Sequence, residues 1–359
     1  MAPTAVQLSF RLGGTDGVAV EARKWEWALR ELGFTVRRVA GELDDGLRPD
    51  DVWLPFLAID PVPGAHVAPD ALAAALAGAD LVVVENLCSL PLNPEASTVA
   101  ARVLDRHTGP VVFHHHDLPW QRPGMIAPPG IPPVRSNAVH VTINNLSRAE
   151  LTAHGIPSVT IRNAFDFDPV HGDRDATRRA FGFSADDVVV LQPTRAIPRK
   201  NVPAAIEFAR DLDHLLGGPP VRLWITGPAE DGYDDELARL VADARVPVTV
   251  GRASTAADAY AAADIVVFPS TWEGFGNPVA ESVAYRRPLV VGGYPVLDEL
   301  LGLGLELLAI DRPEMAAAWL RAPESATLEA NVERLRRDCS LADLPCRLDR
   351  AVETLALSR

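Results

Sequence analysis

The stretch Ile265-Val-Val-Phe268-Pro-Ser-Thr-Trp-Glu273-Gly-Phe-Gly276-Asn-Pro-Val-Ala-Glu281 reads as a buried strand, a Gly-rich loop and the start of a helix. An apolar run closed by Pro269 suits a parallel strand covered on both faces. Asn277 is a good N-cap and Pro278 suits the first helical position, which places Glu281 in the first turn, pointing back toward the loop. The amides of Gly274, Phe275, Gly276 and Asn277, together with the helix dipole, favour an electronegative ligand. A carboxylate beside an amide-lined loop suits sugar hydroxyls, which accept from N–H groups and donate to carboxylates.

The same strand-then-helix pattern recurs on both sides of this stretch. Towards the N-terminus the apolar runs are Val6–Phe10, Thr35–Val39, Leu81–Val84, Val111–Phe113, Val139–Ile143 and Ser158–Ile161. In the second half they are Val188–Leu191, Val221–Ile225, Val246–Val250, Ile265–Phe268, Leu289–Val291 and Leu305–Ile310. Val18, Ala22, Trp25, Leu29 and Leu32 form one helical stripe, with Thr15 or Asp16 available as its cap. Two such sets predict an α/β protein of two doubly wound, Rossmann-like domains, with ligands at the carboxyl ends of the strands. The expected division is residues 1–165, a polar linker over 166–187, residues 188–340, and a final helix within 341–359 that returns to the first domain. Segments 41–70 and 118–136, rich in Pro and Gly, are expected to be long loops.

Composition limits the function. The chain has 359 residues, 48% of them hydrophobic, which is enough for two cores. With 34 Lys+Arg against 48 Asp+Glu, the net charge of −14 argues against nonspecific nucleic-acid binding. The apolar runs fall well short of the ~18 residues of a membrane span. Residues from Met1 to Phe10 do not resemble a secretory leader. Cys88, Cys339 and Cys346 are too scattered for a zinc site or a disulfide framework. The expectation is a cytoplasmic protein without a transmembrane segment, peripheral membrane contact remaining open.

Glu273 and Glu281, with seven residues between them, resemble the Glu-x7-Glu motif of the retaining, family-4-like glycosyltransferases of the GT-B fold. The resemblance implies two Rossmann-like domains with a central cleft, a nucleoside-diphosphate sugar as donor, and no cofactor or obligatory metal. It implies that Glu273 and the amides from Gly274 to Asn277 hold the donor sugar, while Glu281 holds the ribose. Thr194-Arg195-Ala-Ile-Pro-Arg199-Lys200-Asn201 looks like the family's diphosphate-binding Arg and Lys, here Arg195 and Lys200. Without a bound metal, fixed cations must stabilise the charge on a departing diphosphate. The paired Gly13 and Gly14 resemble the loop that reaches the donor from the N-terminal domain. Gly227, Val250 and Arg252 occupy positions resembling the family's donor-side glycine turn and nucleobase contact. Asn163 resembles a domain-crossing turn.

Val111-Val-Phe-His114-His115-His116-Asp117 ends a strand in three histidines. Side chains alternate along a strand, so His115 faces away from His114 and His116, and the three cannot converge on a metal unless the strand has ended. By the resemblance, His116-Asp117 is the pair that faces the transferring sugar, with His114 as the alternative. Trp120 and Arg122 are placed in the acceptor pocket, and Arg11, Lys24, Arg122 and Arg135 are cations for an anionic acceptor.

The implied reaction is hexosyl transfer from a nucleoside-diphosphate sugar, GDP-mannose or UDP-glucose, to a hydroxyl of a small molecule or glycan. Its catalytic residues would be His116, Arg195, Lys200 and Glu273. The segment from Ser9 to Val18 and Lys24-Trp25 lean toward the mannosylglucosylglycerate synthase-like subgroup. A sugar-nucleotide 2-epimerase and a two-lobed sugar-binding protein are the alternatives.

Overall fold

The computed structural model describes residues 2–356. Met1 and residues 357–359, which fall within the expected first domain and final helix, lie outside the described residues. The chain forms two units: one runs to Ala164 and resumes at Leu341, and the other is Phe165–Ser340.

The first unit alternates β1 (Thr4–Leu12), α1 (Gly17–Glu31), β2 (Thr35–Leu43), β3 (Val52–Trp53), α2 (Pro69–Leu76), β4 (Leu81–Glu85), α3 (Pro94–Arg106), β5 (Val111–His115), β6 (Ala138–Thr142), α4 (Asn145–Ala153) and β7 (Ser158–Thr160). Its parallel sheet has the order β3-β2-β1-β4-β5-β6-β7. Strands β1 and β4 are neighbours whose chains continue to opposite sides, so their carboxyl ends form a switch point. Asp16 supplies the α1 cap, accepting from Val18 N and Ala19 N. Trp25, Ala28 and Leu29 of α1 are buried against the sheet core.

The second unit runs α5 (Arg174–Ala180), β8 (Val188–Gln192), α6 (Val202–Leu216), β9 (Val221–Ile225), α7 (Asp234–Asp243), β10 (Val248–Val250), α8 (Ala256–Ala262), β11 (Ile265–Phe268), α9 (Asn277–Ala284), β12 (Leu289–Val291), α10 (Leu297–Gly302), β13 (Leu308–Ala309), α11 (Pro313–Arg321) and α12 (Ser325–Cys339). The sheet order is β10-β9-β8-β11-β12-β13, all parallel, with its switch point between β8 and β11. The last helix, α13 (Leu344–Ala356), belongs to the first unit, where Leu344, Leu348 and Ala351 complete the core beside Trp25 and Val141.

Two local expectations change. Segment 41–70 holds the edge strand β3, and Gly41 permits a close crossing there, since a Cβ would fall 1.9 Å from Ala58 N. Segment 166–187 contains α5, whose pattern is polar because it buries Arg178 rather than an apolar stripe. Arg178 Nη2 meets Asp264 at 2.6 Å, and its other nitrogens donate to the carbonyls of Ala262, Ser184, Ala185 and Asp187. No helix among the described residues is long and apolar enough to cross a membrane.

Candidate functional site

In the second unit, the loops after β8 and β11 are bound together at the switch point. Thr271 N donates to Arg199 O at 2.9 Å, and Arg199 Nη1 returns bonds to Trp272 O at 3.0 Å and Glu273 Oε2 at 2.9 Å. Lys200 Nζ donates to Glu273 Oε1 and lies 5.3 Å from the centroid of the Phe268 ring. Lys200 and Glu273 are each only 7% exposed, so this is a buried ion pair. Burial pushes the Lys200 ammonium down to about 8, although Glu273 favours its charged form. Burial also opposes the Glu273 carboxylate, but Lys200 and Arg199 outweigh it and hold the group below its ordinary value.

Arg195 lies on the same loop, with Nη1 donating to Glu230. Gly227 allows this arrangement: its N donates to Thr194 O at 3.1 Å, and a Cβ there would sit 2.5 Å from Arg195 Cα. Val250 and Arg252 are exposed at the end of β10, and Trp224 Nε1 donates to the intervening Gly251 O at 2.9 Å.

The helix after β11 starts one residue earlier than expected. Gly276, in the left-handed region at φ 93°, is the N-cap, and Asn277 is already helical. Glu281 therefore falls in the second turn, correcting its expected first-turn position, and accepts from Tyr260 Oη at 2.8 Å. Gly276 is required twice, by its φ and because a Cβ would meet Tyr294 Oη at 2.2 Å. Phe275 is buried and stacks on Phe165 at 6.0 Å. Gly274 lies in the same loop, between Glu273 and Phe275.

In the first unit, the parallel register sets Glu85 beside His114. One oxygen, Glu85 Oε2, accepts from His114 Nδ1 at 2.7 Å and His116 Nε2 at 3.1 Å. Gln7 Nε2 reaches Oε1 at 3.4 Å. Glu85 and His114 are fully buried and His116 is nearly so. Burial opposes ionisation of Glu85, yet the two imidazoles hold its carboxyl down at about 2. Burial likewise pushes His114 below its ordinary value, against the pull of Glu85. The alternation argument holds: His115 points the other way, bonding His140 Nδ1 at 2.8 Å and Ser89 Oγ at 2.5 Å. Asn86, at φ 59°, turns its Oδ1 to the amides of His116 and Asp117, fixing the strand end. Glu85, His114 and His116 bring donor atoms within 4.8 Å of one another, a grouping whose chemistry suits a divalent cation.

The residues assigned to the acceptor by the sequence are engaged with protein partners. Arg11 pairs with Asp16 at 2.9 Å, Lys24 with the buried Glu21 at 2.8 Å, and Arg122 with Asp117 at 2.8 Å. Arg135 donates to the carbonyls of Leu104 and His107. Trp120 stacks on His154 at 3.9 Å and donates to Glu150 at 2.8 Å, which fits packing onto α4. Gly13 and Gly14 form their turn against Asp45 and Asp44, where a Cβ would come within 2.2 and 2.7 Å of their carboxylates.

Comparisons with known proteins bear on the family. Residues 189–324, which carry the whole Arg195–Glu281 constellation, match the family described as glycosyl transferases group 1. With the relatives and the solved structure that follow, this match supports a family-4-like glycosyltransferase of the GT-B fold. Over 90% of its length this glycosyltransferase is 24% identical to the mannosylglucosylglycerate synthase of Petrotoga mobilis, covering 90% of that protein. It is 27% identical to the mannosylglucosylglycerate synthase of Thermotoga maritima, over 92% of this chain and 90% of that one. The crystal structure of Anabaena HepE in complex with UDP and glucose shares the two-domain fold, with a TM-score of 0.72 and 15% identity, covering 98% of this chain and 100% of that one.

Three residues that the structure brings against the candidate site residues were not assigned from sequence: Glu85, Arg199 and Glu230. Glu85 follows the apolar run Leu81–Val84 and carried a visible signal, a carboxylate at a strand's carboxyl end. Its partners depend on the β4–β5 pairing. Arg199 precedes Lys200, and its grip on Glu273 depends on the β8–β11 pairing.

Proposed function

We propose that this glycosyltransferase moves a mannosyl group, with retention, from GDP-mannose to a hydroxyl of a small anionic sugar acceptor such as glucosylglycerate. UDP-glucose is the competing donor. The observation that carries the reading is the Lys200–Glu273 pair, buried at the switch point with Arg195 and Arg199 on the same loop. The mannosyl and acceptor assignments follow the names of the two relatives that match nearly the full chain. Transferase names among these relatives do not favour the epimerase or binding-protein alternatives.

In this mechanism the donor diphosphate lies against Lys200 and Arg195. These cations offset the charge that grows on the leaving phosphate, so no metal is required of the step. Glu273, released in part from Lys200, accepts from sugar hydroxyls, and the Gly274–Gly276 amides donate to the same sugar. Glu281 accepts from the ribose and from Tyr260. His116 orients the transferring sugar or stabilises its developing positive charge. Because both glutamates are committed to the donor, we assign no carboxylate nucleophile. The acceptor attacks on the face that the diphosphate leaves, and the leaving phosphate takes its proton.

Thermal-shift titrations with GDP, UDP and ADP, followed by GDP-mannose and UDP-glucose, test the donor. Stabilisation by GDP and GDP-mannose alone is expected. Stabilisation by none of the nucleotides would sink the proposal.

A further inference from the structure

We propose that Glu85 is a positioning residue for His116, fixing the imidazole proton on Nε2 and leaving Nδ1 as the ring's acceptor toward the transferring sugar. This rests on the reading of His116 as the histidine that faces that sugar.

The argument begins with donors and acceptors. A carboxylate can only accept, so a bond between His116 Nε2 and Glu85 Oε2 places hydrogen on Nε2. Neutral imidazole carries one N–H, and Nδ1 then holds a lone pair. The same oxygen takes Nδ1–H of His114, so two rings are set by one atom. Glu85 is itself held: Gln7 Nε2 bonds its other oxygen and also donates to Ala22 O at 2.8 Å, while Ser9 Oγ donates to the Glu85 backbone carbonyl at 3.2 Å. His114 is clamped from its face by Trp25, whose ring centroid lies 3.9 Å away. His116 is fixed from its backbone by Asn86.

No Lys or Arg among the described residues forms an ion pair with Glu85, and the carboxylate is fully buried. A buried anion held behind an imidazole raises the electron density at the opposite nitrogen. That arrangement suits a sugar carbon or ring oxygen that becomes positive in the transition state, as in triads where a buried carboxylate orients a histidine. The tautomer is what Glu85 contributes: without its acceptor, the ring proton is free to occupy either nitrogen.

Long-range proton–nitrogen NMR of the full chain, labelled at histidine nitrogens, reads the tautomer directly. His116→Gln assigns the resonances. Wild type should show His116 protonated at Nε2 and bare at Nδ1. In Glu85→Leu, which has no acceptor, the two nitrogen shifts should converge, and kcat should fall about 100-fold with the dissociation constant for the nucleotide unchanged. If Glu85→Leu does not fold, Glu85→Asp, which withdraws the accepting oxygens by one methylene, carries the same readouts. An unaltered His116 tautomer in the Glu85 variant, beside a His116→Gln enzyme that has lost turnover, overturns the positioning role alone. A changed tautomer with wild-type kcat in both variants overturns the sugar-facing reading of His116, and the proposal with it. One equivalent of divalent metal in the purified protein would also overturn it, because Oε2 would then be a ligand and not a hydrogen-bond acceptor.

Discussion

Lys200 and Glu273, 73 positions apart, meet as a buried ion pair because β8 and β11 are adjacent strands whose loops leave the sheet side by side. A buried pair of this kind is costly to break from one side, since the survivor keeps its charge without a partner. Its retention at the switch point of the second sheet fits a site in which an incoming anion takes over part of the hold on Lys200.

Replacing Lys200 by Ala removes the cation assigned to the leaving diphosphate. We expect kcat to fall by roughly 10²–10³-fold. Steady-state kinetics at saturating donor check this, and wild-type turnover would remove Lys200 from the mechanism.

The pH dependence follows from the same group. Its ammonium is displaced down to about 8, so activity that needs the charged form falls as pH rises through that value. The alkaline limb of kcat/KM for the donor should therefore lie near 8. Diphosphate favours the ammonium, which moves the limb of kcat to higher pH. Lys200→Arg should lose the limb while lowering turnover, because a guanidinium stays charged but fills a different shape.

Glu281→Ala should weaken nucleotide binding by about 10-fold, the order of one hydrogen bond to a charged group, while changing kcat much less. Calorimetric titration with the nucleoside diphosphate separates the two effects. An unchanged dissociation constant would remove Glu281 from the ribose.

Gly276→Ala places a Cβ at a positive φ and against Tyr294 Oη. The strain should cost about 1–3 kcal/mol and lower the midpoint of thermal unfolding by several degrees. Differential scanning calorimetry gives the value, and an unshifted midpoint would mean that the loop relaxes without cost.

Arg178→Ala should be the most destabilising of these changes. It strips a buried guanidinium from Asp264 and from four carbonyls, a loss on the order of 3–5 kcal/mol. Denaturant unfolding of the variant measures it, and a loss below about 1 kcal/mol would show that Arg174, which also pairs with Asp264 at 2.5 Å, suffices alone.

Most strands were legible because runs such as Val188–Leu191 and Ile265–Phe268 are apolar on both faces, a pattern few other elements produce. The edge strand Val52–Trp53 was not, since two residues carry no period. Helix Arg174–Ala180 was hidden because its anchoring residue is an arginine, Arg178, whose charged partner Asp264 lies 86 positions further along the chain. Among the candidate site residues, Glu273, Glu281, Arg195 and Lys200 stood out through their likeness to the family's motifs. Glu85 did not: its meaning comes from lying opposite His114, and strand neighbours are a property of the folded sheet. The same holds for Lys24, which looks like an available cation until Glu21 is found buried beside it.

Helix α13 has a consequence for biogenesis. Leu344 and Leu348 seal a core whose other walls, Trp25 and Val141, emerge from the ribosome some two hundred residues or more earlier. The second unit is continuous and can close as soon as it is made. The first must wait, with an apolar groove uncovered, until Leu344 and Leu348 have followed the whole second unit off the ribosome, so it is the half that chaperones would be called on to shield.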